Sequence, residues 1–295
     1  MYKRISGKFL VLLAPALVFF VVFIVVPLFY ALYISFFKWD GISKPAWVGL
    51  GNWLTELTSS NLYHSLFLTV VMMIASWVIQ TPLSLAIGLY LSREGKWRTV
   101  LSVFYFTPLL FSAVALGITW AYILNPTFGL VQGIIHSLGM NVTLDPLGRT
   151  STALYTLIAI IAWEFIPFHS LLYQSGAKAI PTSLYEAATL DGATGFQSLI
   201  YITIPQLKNT VVASTVVILT GSLTYFDIIY VLTNGGPASA TQVLALNMYQ
   251  KAFQEYQMGL GSTVAVILAV FGLLLSLALV KLTGFSRMDS QAEGA

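Results

Sequence analysis

The chain has 295 residues, of which 57% are hydrophobic and only 8% charged, and its mean hydropathy is +0.83. Soluble domains carry about 25% charged residues, so this composition excludes a water-facing surface and leaves an integral membrane protein. A net charge of +3 gives no reason to expect nucleic acid. The absence of cysteine excludes disulfides, thiol catalysis and cysteine metal sites, and His64, His136 and His169 are too scattered to suggest a histidine site.

In chain order, the first apolar run is 9–37, which holds no formal charge. It is longer than the apolar region of about 7–15 residues in a cleaved signal peptide, and no A-x-A-like site follows it. Further runs at 66–91, 101–124, 153–173, 211–232 and 261–282 each approach or exceed the 20 or so residues that span a bilayer core of about 30 Å. Only helices or closed barrels satisfy the backbone in lipid, and the runs lack the period-2 alternation of a barrel. The expected fold is therefore all-α, with six transmembrane helices in a single membrane domain covering 1–295 and no soluble domain attached. Prolines 15, 27, 82, 108 and 167 predict kinks rather than breaks.

Lys and Arg set the orientation. The N-terminus, 92–98, 174–210 and the C-terminus carry ten of them, whereas 38–65, 125–152 and 233–260 carry four. That asymmetry predicts that both termini are cytoplasmic, and it places 174–210 in the longest cytoplasmic loop. Trp39, Trp47 and Trp53 suit an outer interfacial belt. The segment 246–258, with Met248, Tyr249, Ala252, Phe253 and Tyr256 at helical spacing, reads as an amphipathic helix on the outer membrane surface. Together with the loop 125–152, it is also a place for an external protein to dock.

The loop 174–210 contains two helix starts. Ser183 and Glu186 fit one capping box and Thr194 and Gln197 a second, with Gly192 as a left-handed stop between them and Pro205 as the end of the second helix. Two short helices meeting at a glycine elbow are expected. On residue chemistry alone, Glu186 is either only a cap on a membrane-surface stripe, or part of a rigid knob presented to a cytoplasmic partner.

Two acids lie inside the apolar runs, Glu164 about 20 Å along its helix and Asp227 about 24 Å along the next at 1.5 Å per residue. An ionisable group at that depth marks a transport path by default. Pairing with a neighbouring polar group, or staying protonated, is the structural alternative for both; the two acids lie on different helices, and the sequence places no His or Ser constellation beside them. Tyr225, Phe226 and Trp163 are candidate platforms for the CH faces of a sugar, or else lipid-facing and core aromatics. Apart from Lys281 at the end of the last run, no Lys or Arg lies within the six runs. An anionic substrate would need such charge or helix N-termini, so a neutral sugar is favoured unless a partner supplies the charge.

Glu186-Ala187-Ala188, three residues, Gly192, nine residues and Ile202-Thr203-Ile204-Pro205 resemble the "EAA" signature of permease subunits of ABC importers. Ile180-Pro181, Leu184-Tyr185 and Asp191-Gly192-Ala193 look like its carbohydrate-importer branch. Phe226-Asp227 with Leu232-Thr233-Asn234-Gly235-Gly236-Pro237 is similar to the maltose-transporter type that carries "GGP". Ile204 replaces the usual Leu, and Asn209 stands where many members have a second Pro, which puts the exit from the elbow in question. The resemblance implies a type I ABC importer permease fold with a cytoplasmic coupling helix and alternating access. It further implies that Glu186, Ala187, Ala188, Asp191 and Gly192 couple to an ATP-binding subunit dimer, and that Asp227, Tyr225, Phe226, Glu164 and Trp163 border the substrate path.

It also implies a second permease subunit, an extracytoplasmic sugar-binding protein, membrane lipid around the spans and residence in a prokaryotic inner membrane. No nucleic acid, catalytic residue or metal site is expected. A G-x-x-x-x-G-K-[ST] loop is absent, because Gly95-Lys96 is followed by Trp97 and position 90 is Tyr; there is no H-E-x-x-H either. This chain is then no enzyme and holds no cofactor, with ATP and Mg belonging to the partner. The alternatives are an ABC importer for another solute such as glycerol phosphate, and an ion-coupled secondary transporter using Glu164 or Asp227.

Overall fold

The computed structural model describes residues 7–93 and 95–283. α1 (Gly7–Phe20) runs through a π turn (Val21–Val25) into α2 (Val26–Ile34), and strands β1 (Phe37–Lys38) and β2 (Ala46–Trp47) form an antiparallel hairpin. α3 (Gly51–Leu57) leads to the long α4 (Ser60–Ser92), followed by α5 (Lys96–Phe106), a 3-10 turn (Thr107–Leu110), α6 (Ala113–Ile123) and α7 (Leu130–Ser137). α8 (Ala153–Lys178), α9 (Thr182–Leu190), α10 (Gly195–Ser198), a π turn (Leu199–Thr203), α11 (Ile204–Gln206) and α12 (Lys208–Gly221) come next. The chain then passes through a 3-10 turn (Ser222–Thr224), α13 (Asp227–Leu232), α14 (Leu244–Tyr249), a π turn (Gln250–Gln254) and α15 (Met258–Thr283).

Four continuous stretches are long and apolar enough to cross a bilayer: Leu12–Ile34, Ser60–Ser92, Ala153–Lys178 and Met258–Thr283. Two bent pairs add to these, and the candidate spans number six only if each pair is one span; the second pair covers 195–224 rather than the expected 211–232. Lys96–Leu110 and Ala113–Ile123 meet at 100°. Here Pro108 sits in the 3-10 turn and Ser112 starts α6 afresh, its Oγ accepting the Ala115 amide at 3.2 Å, so the expected kink is a sharp break. Gly195–Gln206 and Lys208–Thr224 meet at 63°.

The run 211–232 is also interrupted. α12 tightens into the 3-10 turn, where the hydroxyls of Ser222 and Thr224 bond back to the carbonyls of Ile218 and Gly221. Tyr225 and Phe226 then leave helical geometry, and Asp227 opens a new helix instead of lying inside the old one. Pro15, Pro82 and Pro167 stay within continuous helices.

The chain forms two compact units. The larger comprises Ser65–Leu246 and Gly272–Ala295. Its core gathers Leu68 and Met72 of α4, Leu157, Ile158 and Ile161 of α8, Ile228 and Ile229 of α13, and Leu246. Small residues bring its helices together. A Cβ on Gly88 would meet the Ser170 carbonyl of α8 at 2.6 Å, and one on Gly176 would meet the Thr210 hydroxyl at 2.7 Å and Leu207 at 2.8 Å. In lipid, where no hydrophobic force drives helices together, such close approach is what lets them pack.

The smaller unit comprises Met1–His64 and Asn247–Phe271. The buried Asn52 of α3 donates to the carbonyls of Ser35 (2.9 Å) and Phe37 (2.8 Å), tying α3 to the end of α2 and to the hairpin. Asp40 closes the tip by accepting the amides of Ile42 and Ser43, which hold its carboxyl below the usual carboxylate pKa. Trp53 donates to the Ser35 hydroxyl at 3.1 Å and Trp39 to the Ser43 carbonyl at 2.7 Å, so these expected belt residues also lock the unit.

The segment 246–258 is not an amphipathic surface helix. In the larger unit Leu244 and Leu246 are fully buried; in the smaller, α14 gives way to the π turn, and Ala252 packs where a Cβ on Gly261 would meet it at 2.6 Å. Lys251 donates to Glu56 Oε1 at 2.7 Å, with the carboxylate fully buried and its other oxygen unbonded among the described residues. Breaking such a pair from one side leaves an uncompensated buried charge, at a cost of about 3–5 kcal/mol. Lys251→Met alone should therefore lower the unfolding temperature of the purified protein markedly. Glu56→Leu with Lys251→Met should recover most of that loss in the same melt.

Candidate functional site: an elbow joined to a cavity

The first element is the segment after α8. Pro181, with φ −58° and ψ 131°, is the N-cap of α9, so the helix opens at Thr182. Ser183 is already helical there and Glu186 lies too deep to reach back, so the Ser183–Glu186 box does not form. Glu186 and Ala187 are instead exposed on α9, with Ala188 half-buried.

At the other end, Asp191 is the C-cap and Gly192 has φ +76°. The Gly192 amide bonds to the Thr189 carbonyl at 3.1 Å and the Ala193 amide to the Ala188 carbonyl at 2.9 Å. This pattern satisfies the last carbonyls only with a left-handed residue at its centre. Directly after it, the Thr194–Gln197 capping box is complete, with the Gln197 amide on Thr194 Oγ1 (3.3 Å) and the Thr194 amide on Gln197 Oε1 (2.7 Å).

A brace that the sequence did not suggest closes the elbow, since Tyr185 Oη and Thr203 Oγ1 are 2.9 Å apart. The second arm does not stop at Pro205. It passes through the π turn into α11 and turns at Leu207, which is buried and seated where Gly176 of α8 leaves room. At the tip, Leu190 is 89% exposed and Phe196 70%. The result is a rigid, braced knob with an apolar tip.

The second element is a cavity of about 440 Å³ in the larger unit. Glu164 and His169 from α8, and Tyr225, Phe226 and Asp227 from the break before α13, all line it, with Phe165 and Phe168 beside them. Glu164 is buried, whereas Asp227 is exposed. The break brings these groups together: a continuous helix would carry 225–227 along its own ladder, whereas the irregular backbone turns them to the cavity. Non-helical backbone at membrane depth is tolerated where it borders such a space.

Phe165 and Tyr225 face each other at 5.5 Å between ring centroids. The Tyr225 hydroxyl has Gln80, Ser222 and Ser76 as its polar surroundings, although neither amide atom of the buried Gln80 closes a hydrogen bond. His169 Nδ1 and Ser214 Oγ are 2.9 Å apart, linking α8 to α12 below the cavity.

Trp163 does not join this lining. It meets Trp120 of α6 edge-on at 5.4 Å, because adjacent helical positions point about 100° apart and Glu164 takes the inward one. His169, Phe165 and Phe168 were not singled out by sequence, although Glu164/Phe168 and Phe165/His169 are i, i+4 pairs that share a face. No cluster of His, Cys, Asp or Glu suited to a metal occurs among the described residues. Lys and Arg are absent from the cavity lining.

Elbow and cavity are joined by two helices. α8 carries Glu164 and holds Leu207 at Gly176, and α12 runs from Leu207 to Val217, Ile218 and Gly221 at the cavity. About 20 Å of helix thus connects the elbow with the cavity.

Bent and interrupted apolar helices around a largely apolar cavity that holds two carboxyls are the architecture of a solute permease. Residues 80–283 match the family described as "Binding-protein-dependent transport system inner membrane component", and the chain belongs to it. It is 33% identical over 273 residues to the Probable ABC transporter permease protein YurN of Bacillus subtilis (strain 168), covering 91% of this chain and 93% of the relative. It is 32% identical over 290 residues to the Trehalose/maltose transport system permease protein MalF of Thermococcus litoralis, covering 97% and 96%. A crystal structure of a bacterial ABC transporter involved in the import of the acidic polysaccharide alginate shares its fold, with a TM-score of 0.81 over 94% of each chain at 20% identity.

Proposed function

We propose that this chain is the permease subunit of an ATP-driven importer for a neutral sugar or oligosaccharide. The cavity carries the reading. It offers two carboxyls and a tyrosine to accept and donate hydrogen bonds, phenylalanine rings for the CH faces of a sugar, and no cation for a phosphate or carboxylate. Likeness to a trehalose/maltose permease supports the same class. A glycerol-phosphate substrate is disfavoured, because its anion would meet Glu164 and Asp227.

In this reading, Glu186, Ala187, Ala188, Asp191 and Gly192 form the face that seats in an ATP-binding subunit. ATP and Mg are held by a dimer of that subunit, a second permease subunit completes the path, and an extracytoplasmic binding protein delivers the sugar. Both units of the chain act as one permease in an inner membrane, with both termini in the cytoplasm. Closure of the ATPase pair moves the elbow as a rigid body, and α8 and α12 carry that movement to the cavity. The test is ATP hydrolysis by the assembled complex over a panel of solutes. Stimulation by a neutral sugar with its binding protein is expected, and stimulation only by an anionic solute would overturn the sugar assignment.

A further inference from the structure

We propose that Gln80 and Ser76 of α4 form a polar niche that takes two neighbouring hydroxyls of the transported sugar when the Tyr225 side chain turns aside. This rests on the reading of the cavity as the sugar path, and adds to it a helix that does not line the cavity.

α4 buries a row of polar side chains. Ser76, Gln80 and Ser84 recur every four positions, share one helix face and are all fully buried. Other buried hydroxyls of this helix are spent within it: Thr69 Oγ1 donates to the Ser65 carbonyl at 2.7 Å, and Ser84 Oγ to the Gln80 carbonyl. Ser76 and Gln80 depart from that habit. Ser76 Oγ and both amide atoms of Gln80 have no hydrogen-bond partner among the described residues. A buried carboxamide with no partner is a cost to the fold, which a ligand that supplies the partners removes.

The niche lies behind the cavity wall. Tyr225 lines the cavity, and its hydroxyl has Gln80, Ser76 and Ser222 around it while closing a hydrogen bond to neither Gln80 nor Ser76. Ala75 and Ile79, each one position before those two, pack with Tyr225 against the same core. The tyrosine hydroxyl thus stands where a sugar hydroxyl would. Its residue sits in the break between α12 and α13 at φ −63° and ψ 102°, so the side chain turns with no helix to distort. A carboxamide donates from Nε2 and accepts at Oε1, which matches two adjacent hydroxyls of a sugar ring, and Ser76 Oγ adds a third partner. Being uncharged, the niche selects by the placing of hydroxyls, a task distinct from that of Glu164 and Asp227.

The chain has no cysteine, so Ser76→Cys puts a single thiol of this chain in the niche. The assembled complex is treated with 2-aminoethyl methanethiosulfonate, and labelling of this chain is read by mass. Slow labelling is expected in the resting complex, and faster labelling during ATP-driven turnover or with Tyr225→Ala. Whichever of maltose, trehalose and cellobiose the complex takes up should slow it again. In vesicle uptake, Gln80→Leu should raise the half-saturating sugar concentration about tenfold, as for two neutral hydrogen bonds, with little change in maximal rate. The same variant should melt at a higher temperature, because it removes an unsatisfied amide. Gln80→Glu, which keeps the shape and an acceptor, should shift half-saturation less.

A higher melting temperature with unchanged half-saturation in Gln80→Leu would overturn the proposal. So would a thiol that labels in no state, or one that labels equally fast with the sugar present, which points to water alone. A complex that takes up none of the three sugars overturns the sugar assignment and the niche with it, whereas uptake indifferent to Gln80 and Ser76 overturns the niche and leaves that assignment standing.

Discussion

Gly192→Val is expected to remove substrate-stimulated ATP hydrolysis from the assembled complex while leaving the chain in the membrane. Gly192 sits at φ +76° with both flanking amides bonded back into α9, so the turn closes only if this residue is left-handed. A non-glycine residue there costs about 1–2 kcal/mol, and a β-branched one is a stronger outlier. No neighbouring atom lies within 4 Å of a Cβ at this position, so the whole effect is backbone strain and not a clash. The chain relieves that strain by opening the turn, which rotates α9 against α10 and breaks the Tyr185–Thr203 brace.

A lever with a slack joint transmits little movement, and a fall of about tenfold or more in coupled turnover follows from a geometric cost of that size. Gly192→Asn provides the control, because Asn tolerates the left-handed region and should keep much of the coupling. The measurement is ATPase rate with and without substrate and binding protein, at equal amounts of chain in the membrane. Wild-type stimulation in the Val variant would remove the elbow from the mechanism.

The second large effect is expected at the cavity. Asp227→Leu should raise the half-saturating substrate concentration about 10- to 100-fold, the range for losing a hydrogen bond to a charged group. The side chain is exposed at a helix break, so its replacement disturbs little packing. Glu164→Gln, which keeps the shape of a buried side chain, should give a smaller rise. Uptake by vesicles carrying the complex, measured over a range of substrate, separates this from a folding defect, since misfolding lowers the maximal rate without moving half-saturation. Unchanged half-saturation in both variants would make the two acids structural.

The apolar runs were legible because a bilayer demands length and charge depletion, and four of the six are continuous helices. The breaks inside the other two were not, for a local reason. Apolar composition looks the same on either side of Ser112 or Ser222, and only side-chain hydroxyls competing for backbone groups distinguish a break from a span. At the elbow, the glycine stop and the Thr194–Gln197 box could be read directly, because each depends on neighbours in sequence.

Ser183–Glu186 fit the same pattern but failed, because Pro181 caps α9 two residues earlier. The Tyr185–Thr203 brace and the Glu56–Lys251 pair join residues 18 and 195 positions apart, a separation that local pattern does not reach. The cavity was half legible. Acids inside apolar runs announced Glu164 and Asp227, but only the helical phase of α8 decides that Phe165, Phe168 and His169 accompany Glu164 while Trp163 turns to Trp120.

Sugar uptake into proteoliposomes tests the central claim most directly, comparing this chain alone with the complex of subunits that co-purify with it. Accumulation of a neutral sugar is expected only with the complete complex, with ATP on the ATPase side and binding protein on the other. Accumulation by this chain alone, driven by an ion gradient without ATP, would contradict it.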